Sequence, residues 1–431
     1  MRHSGMRFPG MRPIVRTLLV AAAFALATAQ AQVAITYWQY DFATRIDAMN
    51  QLIEQFNAEN PDVVVTQETF PYDAYQQRVA ASLAAGEGPD VVQLFYGWVG
   101  PWQRAGYIEP LPKEHFADEW IQDYFIPMVE SVNIGGDYYG LPTAVRALAL
   151  FYNKDQFREV GLDPDSPPTT WDEFIEAAKM LTTQRGPRFE RIGFGIAPNG
   201  QDHHLVRTVL MNQLGTPPYS DDNTEVLYGN EIGAEALAFY TSWQTEHEIG
   251  VAEFMPGNNG YREGFYTQEN ISMIIDGSFA IGAVRTNAQF DWGVAELPTF
   301  DNGVKANFGS FWMNGLTPNA TADPAKLEAA SRFIKFVTSE EAMQIWLDVV
   351  GELPAAKTMV ADPELTADPV YGAFIAGLAY AEATQFVDEA GQRDAMVNAI
   401  NRVLLEGVDP MTSILQAAAE DQALLDAANT Q

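Results

Sequence analysis

The chain has 431 residues, 57 of them acidic against 25 basic, for a formal net charge of −32, and it contains no cysteine. So negative a field argues against nucleic acid as a partner, because that binding rests on Lys and Arg neutralising phosphates. The missing cysteine excludes disulfides, thiolate metal sites and a lipid-bearing cysteine behind a leader.

Residues 1–31 read as a cleaved secretory leader. Arg2, Arg7, Arg12 and Arg16 precede an apolar run from Leu18 to Ala27, and small residues follow at Ala29 and Ala31, after either of which cleavage fits. The run is shorter than the roughly 20 residues that span a bilayer, which disfavours the competing reading of a membrane anchor. Losing those four arginines leaves 21 basic residues against the 57 acidic ones, a net of −36. The scarcity of lysine fits a salty habitat, where repulsion is screened, and equally fits ordinary solubility. An exported, untethered chain is most useful in a periplasm, so a periplasmic protein acting as a monomer is expected. With 47% hydrophobic residues and about 400 residues after the leader, the chain exceeds what one core serves, so two lobes are expected.

The mature start predicts a strand over Val33 to Tyr40, then a helix on which Ile46, Met49, Ile53 and Phe56 recur at helical spacing. A second strand at Val63 to Val65, a helix from Tyr75 to Ala85 and a third strand from Pro89 to Phe95 complete a βαβαβ series, which implies a mostly parallel sheet covered by helices. A β-rich run from Ala147 to Tyr152 opens a second series. Thr170 and Glu173 form a capping-box pattern ahead of the stripe Phe174, Ala177, Ala178, Leu181. Ile271 to Ile275 and Trp292 to Leu297 predict strands, Thr338 with Glu341 predicts another helix cap, and long helical patterns run from about Tyr371.

Catalytic signatures are not found. There is no nucleophile elbow and no phosphate-cradling P-loop, and Gly193 with Gly195 is only a fragment of a dinucleotide fingerprint. His247-Glu248 lacks the second histidine of a helical zinc site, and the adjacent His203 and His204 are expected to diverge on a helix. No metal, no cofactor and no enzymatic role are therefore expected. A glycosidase would need two carboxylates at a set spatial separation, which sequence does not reveal.

What stands out is aromatic residues beside polar ones at the ends of predicted strands: Trp38, Tyr40 and Asp41; Tyr96 and Trp98; Gly309 and Trp312. In open α/β sheets ligands sit beyond the carboxyl ends of strands. Flat rings match the C–H face of a sugar, while polar side chains match its hydroxyl rim. The competing reading of any one ring is core or lobe-interface packing.

Five segments carry a resemblance: Ile35 to Tyr40, Gly86 to Val92, Tyr139 to Lys154, Pro168 to Phe174 and Met273 to Ser278. In this order and spacing the chain resembles the family-1 extracellular solute-binding proteins of ABC importers, the maltose-binding-protein group. The resemblance implies an α/β, two-lobed periplasmic-binding-protein type II fold with hinge crossovers near Pro142 to Ala147 and Leu297 to Phe308. It divides the chain into residues 32–142 plus 298–355 for one lobe and 143–297 plus 356–431 for the other. It also implies a small sugar held between the lobes and delivered to permease subunits in the membrane by hinge closure. Arg146 matches a ligand-contacting position where the family member has an acid, and Phe279 matches a stacking tryptophan. Asp276, Gly277 and Ser278 precede that ring. The competing readings are a solvated salt bridge for Arg146 and a turn residue for Asp276. The alternative ligand is a charged non-sugar solute: glycerol phosphate, a polyamine or a metal chelate.

Overall fold

The computed structural model describes Met1, residues 32–251 and residues 260–430; the expected leader, Met1 apart, lies outside the described residues. The first strand, β1 (Val33–Tyr40), alternates in burial at its start, with Ile35 and Tyr37 in the core, and is buried on both faces from Tyr37 to Tyr40. Helix α1 (Ala43–Glu59) buries Ala48, Met49, Leu52, Ile53 and Phe56 on one stripe, and Arg45 lies on that same stripe. Next come β2 (Val63–Phe70), α2 (Tyr72–Ala84) and β3 (Val91–Phe95). β1 lies between β2 and β3 and is parallel to both, as the βαβαβ pattern predicts.

The long strand β4 (Leu141–Asn153) is buried throughout except at Arg146. Helix α3 (Trp171–Leu181) starts at the predicted capping box: the Thr170 hydroxyl accepts from the Glu173 N–H at 3.2 Å, and the Glu173 carboxylate accepts from the Thr170 N–H at 3.2 Å. The same sheet continues with β5 (Thr183–Arg185), β6 (Arg188–Phe194), β7 (Ile271–Gly277), β8 (Trp292–Ala295) and β9 (Asn307–Leu316). Helices α4 (Pro324–Val337) and α5 (Glu340–Val350) follow, then the two-residue β10 (Ala381–Glu382), α6 (Glu389–Glu406) and α7 (Pro410–Asn429). The predicted cap of α5 moves by one residue. Thr338 is buried at the end of α4, where its hydroxyl donates to the Ile334 carbonyl at 2.8 Å. Ser339 has the extended backbone an N-cap requires, and its hydroxyl accepts from the Ala342 N–H at 3.2 Å.

The strand order β2-β1-β3-β9-β4-β7-β6-β5 is one hydrogen-bonded path through two lobes, because β4 belongs to both. Its first half, Leu141–Ala147, pairs antiparallel with β9; its second half, Leu148–Tyr152, pairs antiparallel with β7, and Leu150–Asn153 takes β8. β9 brings the chain back from the second lobe and so runs against β3, turning a parallel sheet into a mixed one at that edge. Between the last β9 pair at Ala147 and the first β8 pair at Leu150, the buried Asn307 side chain takes the place of a strand. Its Nδ2 donates to the Leu148 carbonyl at 2.8 Å and its Oδ1 accepts from the Leu148 N–H at 3.1 Å. On β4's other edge Val145 and Leu353 exchange backbone hydrogen bonds of 2.8 and 3.1 Å, bringing a third connection to the same place.

Each buried backbone group left without a partner costs about 1–3 kcal/mol. Asn307→Ala orphans two on Leu148, so denaturant titration of this variant should show a loss of about 2–3 kcal/mol; a loss below about 0.5 kcal/mol would show that the side chain does not complete the ladder.

Candidate functional site

Tyr40 ends β1, Trp98 lies in the turn that follows β3, and β9 brings Trp312 against both. Ring centroids are 4.3 Å apart for Tyr40 and Trp312 and 5.1 Å for Trp98 and Trp312. Tyr72, half exposed at the start of α2, lies 5.3 Å from Tyr40 and 6.4 Å from Trp98. Trp98 stacks on Trp102 at 6.0 Å and 22°. These two tryptophans wall a cavity of about 350 Å³, with Gln76 and Gln77 of α2 on the same side and Asp388 and Glu389, at the start of α6, facing them. Asp41 is exposed beside Tyr40.

Strand parity sorts the other expected rings. Phe311 and Trp312 point to opposite faces of β9, so Tyr96 stacks on Phe311 at 5.0 Å, toward Phe386, and does not join the Trp98 group. Trp38 packs on Phe70 at 4.6 Å, while Tyr40, two residues on, reaches Trp312. Gly309 serves close packing: a Cβ there would lie 2.1 Å from the Met128 methyl.

Beyond Tyr40 and Trp312 the site becomes charged. The Arg45 guanidinium lies 4.8 to 5.7 Å from the Phe42, Tyr40 and Trp312 ring centres. Arg45 Nη2 donates to Glu352 Oε1, and Arg146 Nε donates to the same oxygen at 2.5 Å. Trp346 Nε1 donates to Oε2 at 2.8 Å. Burial alone would raise the Glu352 carboxyl's pKa; Arg146, Arg45 and the Trp346 N–H outweigh it and hold the group below its ordinary value. Arg146 is thus paired, not to solvent-screened acid, but to a buried one.

Phe279 sits 5.0 Å from the Arg146 guanidinium and 5.1 Å from that of Arg262. A Cβ on Gly277 would come within 2.3 Å of this ring, so the glycine is what lets Phe279 fold back over β7's end. Asp276 is fully buried and holds other groups in place. It accepts from Arg262 Nε at 2.5 Å and Nη2 at 2.9 Å, from the Tyr261 hydroxyl at 3.1 Å and from the Gly277 N–H at 2.8 Å. Ser278 is buried as well. The two histidines expected to diverge lie at a π-helical kink with ring centroids 3.9 Å apart, and His204 stacks on Phe308 at 3.5 Å. Among the described residues no cluster of His, Asp and Glu could hold a metal.

Sequence reasoning missed Arg45, Tyr72, Arg262 and Glu352. Arg45 had a signal, a cation at the register of α1's buried stripe, and so did Glu352, a lone acid in the apolar run Val349 to Ala356.

Glu352→Gln removes the carboxylate that Arg45 and Arg146 share, and stripping one member from a buried ion pair costs about 3–5 kcal/mol. The sign with pH follows from the depressed pKa: the native state binds fewer protons than the unfolded state, so this stability is present above the unfolded pKa and is lost as pH falls through the native one. Acid titration of stability should therefore be shallower in the variant than in the wild type; equal slopes would mean that Glu352 is not the linked group.

The model of the bacterial extracellular solute-binding protein family matches residues 43–344. A maltotriose-binding protein of Pyrococcus abyssi is 26% identical over 343 residues, 78% of this chain and 70% of that one. An sn-glycerol-3-phosphate-binding periplasmic protein of Pectobacterium atrosepticum is 26% identical over 366 residues, 79% of this chain and 78% of that one. The crystal structure of a cyclic alpha-maltosyl-1,6-maltose binding protein from Arthrobacter globiformis superposes with a TM-score of 0.80 at 21% identity, covering 92% of this chain and all of that one. Its two-lobed fold is the fold found here, no described helix is long and apolar enough to cross a membrane, and the chain belongs to the bacterial extracellular solute-binding protein family.

Proposed function

We propose that this protein captures a sugar between its two lobes and delivers it to the permease subunits of an ABC importer. The observation that carries the reading is the aromatic wall of Tyr40, Tyr72, Trp98 and Trp312, continued by Trp102 into a cavity of about 350 Å³ rimmed by Gln76, Gln77, Asp388 and Glu389. Rings supply area for a C–H face, amides accept and donate to hydroxyls, and carboxylates accept from them. The maltotriose-binding relative supports a saccharide as the cargo.

The proposed mechanism is closure about three connections: β4 near Ala147, the return from Leu297 to Asn307, and the segment at Glu352 to Ala356. On this reading residues 32–142 with 298–355 form one lobe and 143–297 with 356–431 the other. A ligand that touches both lobes shifts the equilibrium toward the closed form only to the extent that it binds that form more tightly. The Arg104 guanidinium donates to the Val387 carbonyl at 3.0 Å and so joins the two proposed lobes. The protein works by binding and release, as a monomer in the periplasm, after removal of its leader near Ala29 or Ala31.

Thermal-shift screening against oligosaccharides tests the reading, because a ligand that prefers the native state raises the melting temperature. For a sugar so identified, Trp98→Ala should weaken binding by about 1–3 kcal/mol in calorimetry. An unchanged affinity would remove this cavity from the site.

A further inference from the structure

We propose that the captured saccharide carries an anionic group, a carboxylate or a phosphate, and that Arg45 and Arg146 hold it; this rests on the sugar-binding reading above. The first observation is a mismatch of charge. Two guanidiniums converge on one carboxylate oxygen of Glu352, whose other oxygen is taken by Trp346. The nearby Asp276 has both oxygens occupied by Arg262, Tyr261 and the Gly277 N–H. Of the two charges on Arg45 and Arg146, Glu352 balances one.

The second observation is a surplus of donors. Arg45 is 1% exposed, yet its Nε and Nη1 have no acceptor among the described residues, and neither has the buried Nη2 of Arg146. Unmet donors on a buried cation are costly, and the cost is recovered when an acceptor arrives. Neutral hydroxyls could accept these hydrogen bonds but not balance the charge. A carboxylate or phosphate does both, in the geometry that a guanidinium fork favours.

The third observation is position. Arg45 lies over Tyr40 and Trp312, and Arg146 lies over Phe279, so the cationic end continues the aromatic wall. With only 25 basic residues in 431, a cation pair placed there is not a by-product of a basic surface. Rings along one stretch and cations at its end describe a ligand with a sugar body and an acidic terminus.

The test is calorimetry with matched probes: a uronate-terminated disaccharide, its neutral counterpart, a sugar phosphate and inorganic phosphate. The acidic saccharide should bind roughly 10- to 100-fold tighter than the neutral one, the span of a charge-assisted contact. Arg146→Gln should collapse that ratio, and Arg146→Lys, which keeps the charge and loses the fork, should recover part of it; melting curves confirm that both variants fold. Whichever of uronate and phosphate wins names the anion. Equal affinity for acidic and neutral sugars overturns the inference and leaves the sugar reading standing. Binding of inorganic phosphate with no binding of any saccharide overturns the sugar reading and with it this proposal.

Discussion

A single buried carboxylate ties the structure together. Glu352 receives Arg45 from α1, Arg146 from β4, and Trp346 from α5. Its neighbour Leu353 pairs with Val145, so the charge sits next to the residue that continues the backbone ladder at the crossover. Moving a carboxylate out of water is expensive, and the expense is offset by charge pairing and hydrogen bonds to its oxygens. Here both oxygens accept, from three donors on three separate segments, which ties those segments together.

On the proposed mechanism, that fixation falls where the chain bends. β4 passes between the lobes without interruption, and its partners change at Ala147 and Leu148. A strand with a continuous ladder on one edge resists bending; one whose neighbours change, with a side chain standing in for a strand at the junction, has a defined point at which to bend. Asn307 supplies the missing bonds without adding the stiffness of another strand. On the proposed mechanism the motion is a small rotation about this point, with Glu352 on the same axis. Rigid lobes on a narrow joint turn a local contact with ligand into a change of outline that a transporter can read.

Much of this was legible in the sequence because it is local. The α1 stripe, the capping box at Thr170 and the strands ending in Tyr40 and Phe95 follow from periodicity and cap chemistry. Tyr40 and Trp98 followed from the rule that ligands sit at strand ends; Trp312, also expected at an end, lies in the middle of β9, and there its ring meets the other two. What was not legible depends on partners far away in the chain. Nothing local tells Tyr96 from Trp98; the alternation of Phe311 and Trp312 on a strand more than two hundred residues later decides which ring faces which side. The cap at Ser339 was misplaced because Thr338 was already committed to the preceding helix. Glu352 was hidden for the same reason: its two arginines lie 307 and 206 positions away.

The sign of the charge at the site opposes that of the whole molecule. At a net −32 the surface repels an anionic ligand at long range, but over distances greater than about 8–10 Å physiological salt screens that repulsion. Inside the cleft, rings and backbone replace water, so the pull of Arg45 and Arg146 is screened far less. If the ligand is acidic, as inferred above, the two effects separate in kinetics. The acidic surface slows encounter, the buried guanidiniums slow escape, and affinity resides in dissociation. Such an arrangement would suit a carrier: an acidic surface does not gather anions indiscriminately, and the proposed anion site lies where the proposed closure would seal it.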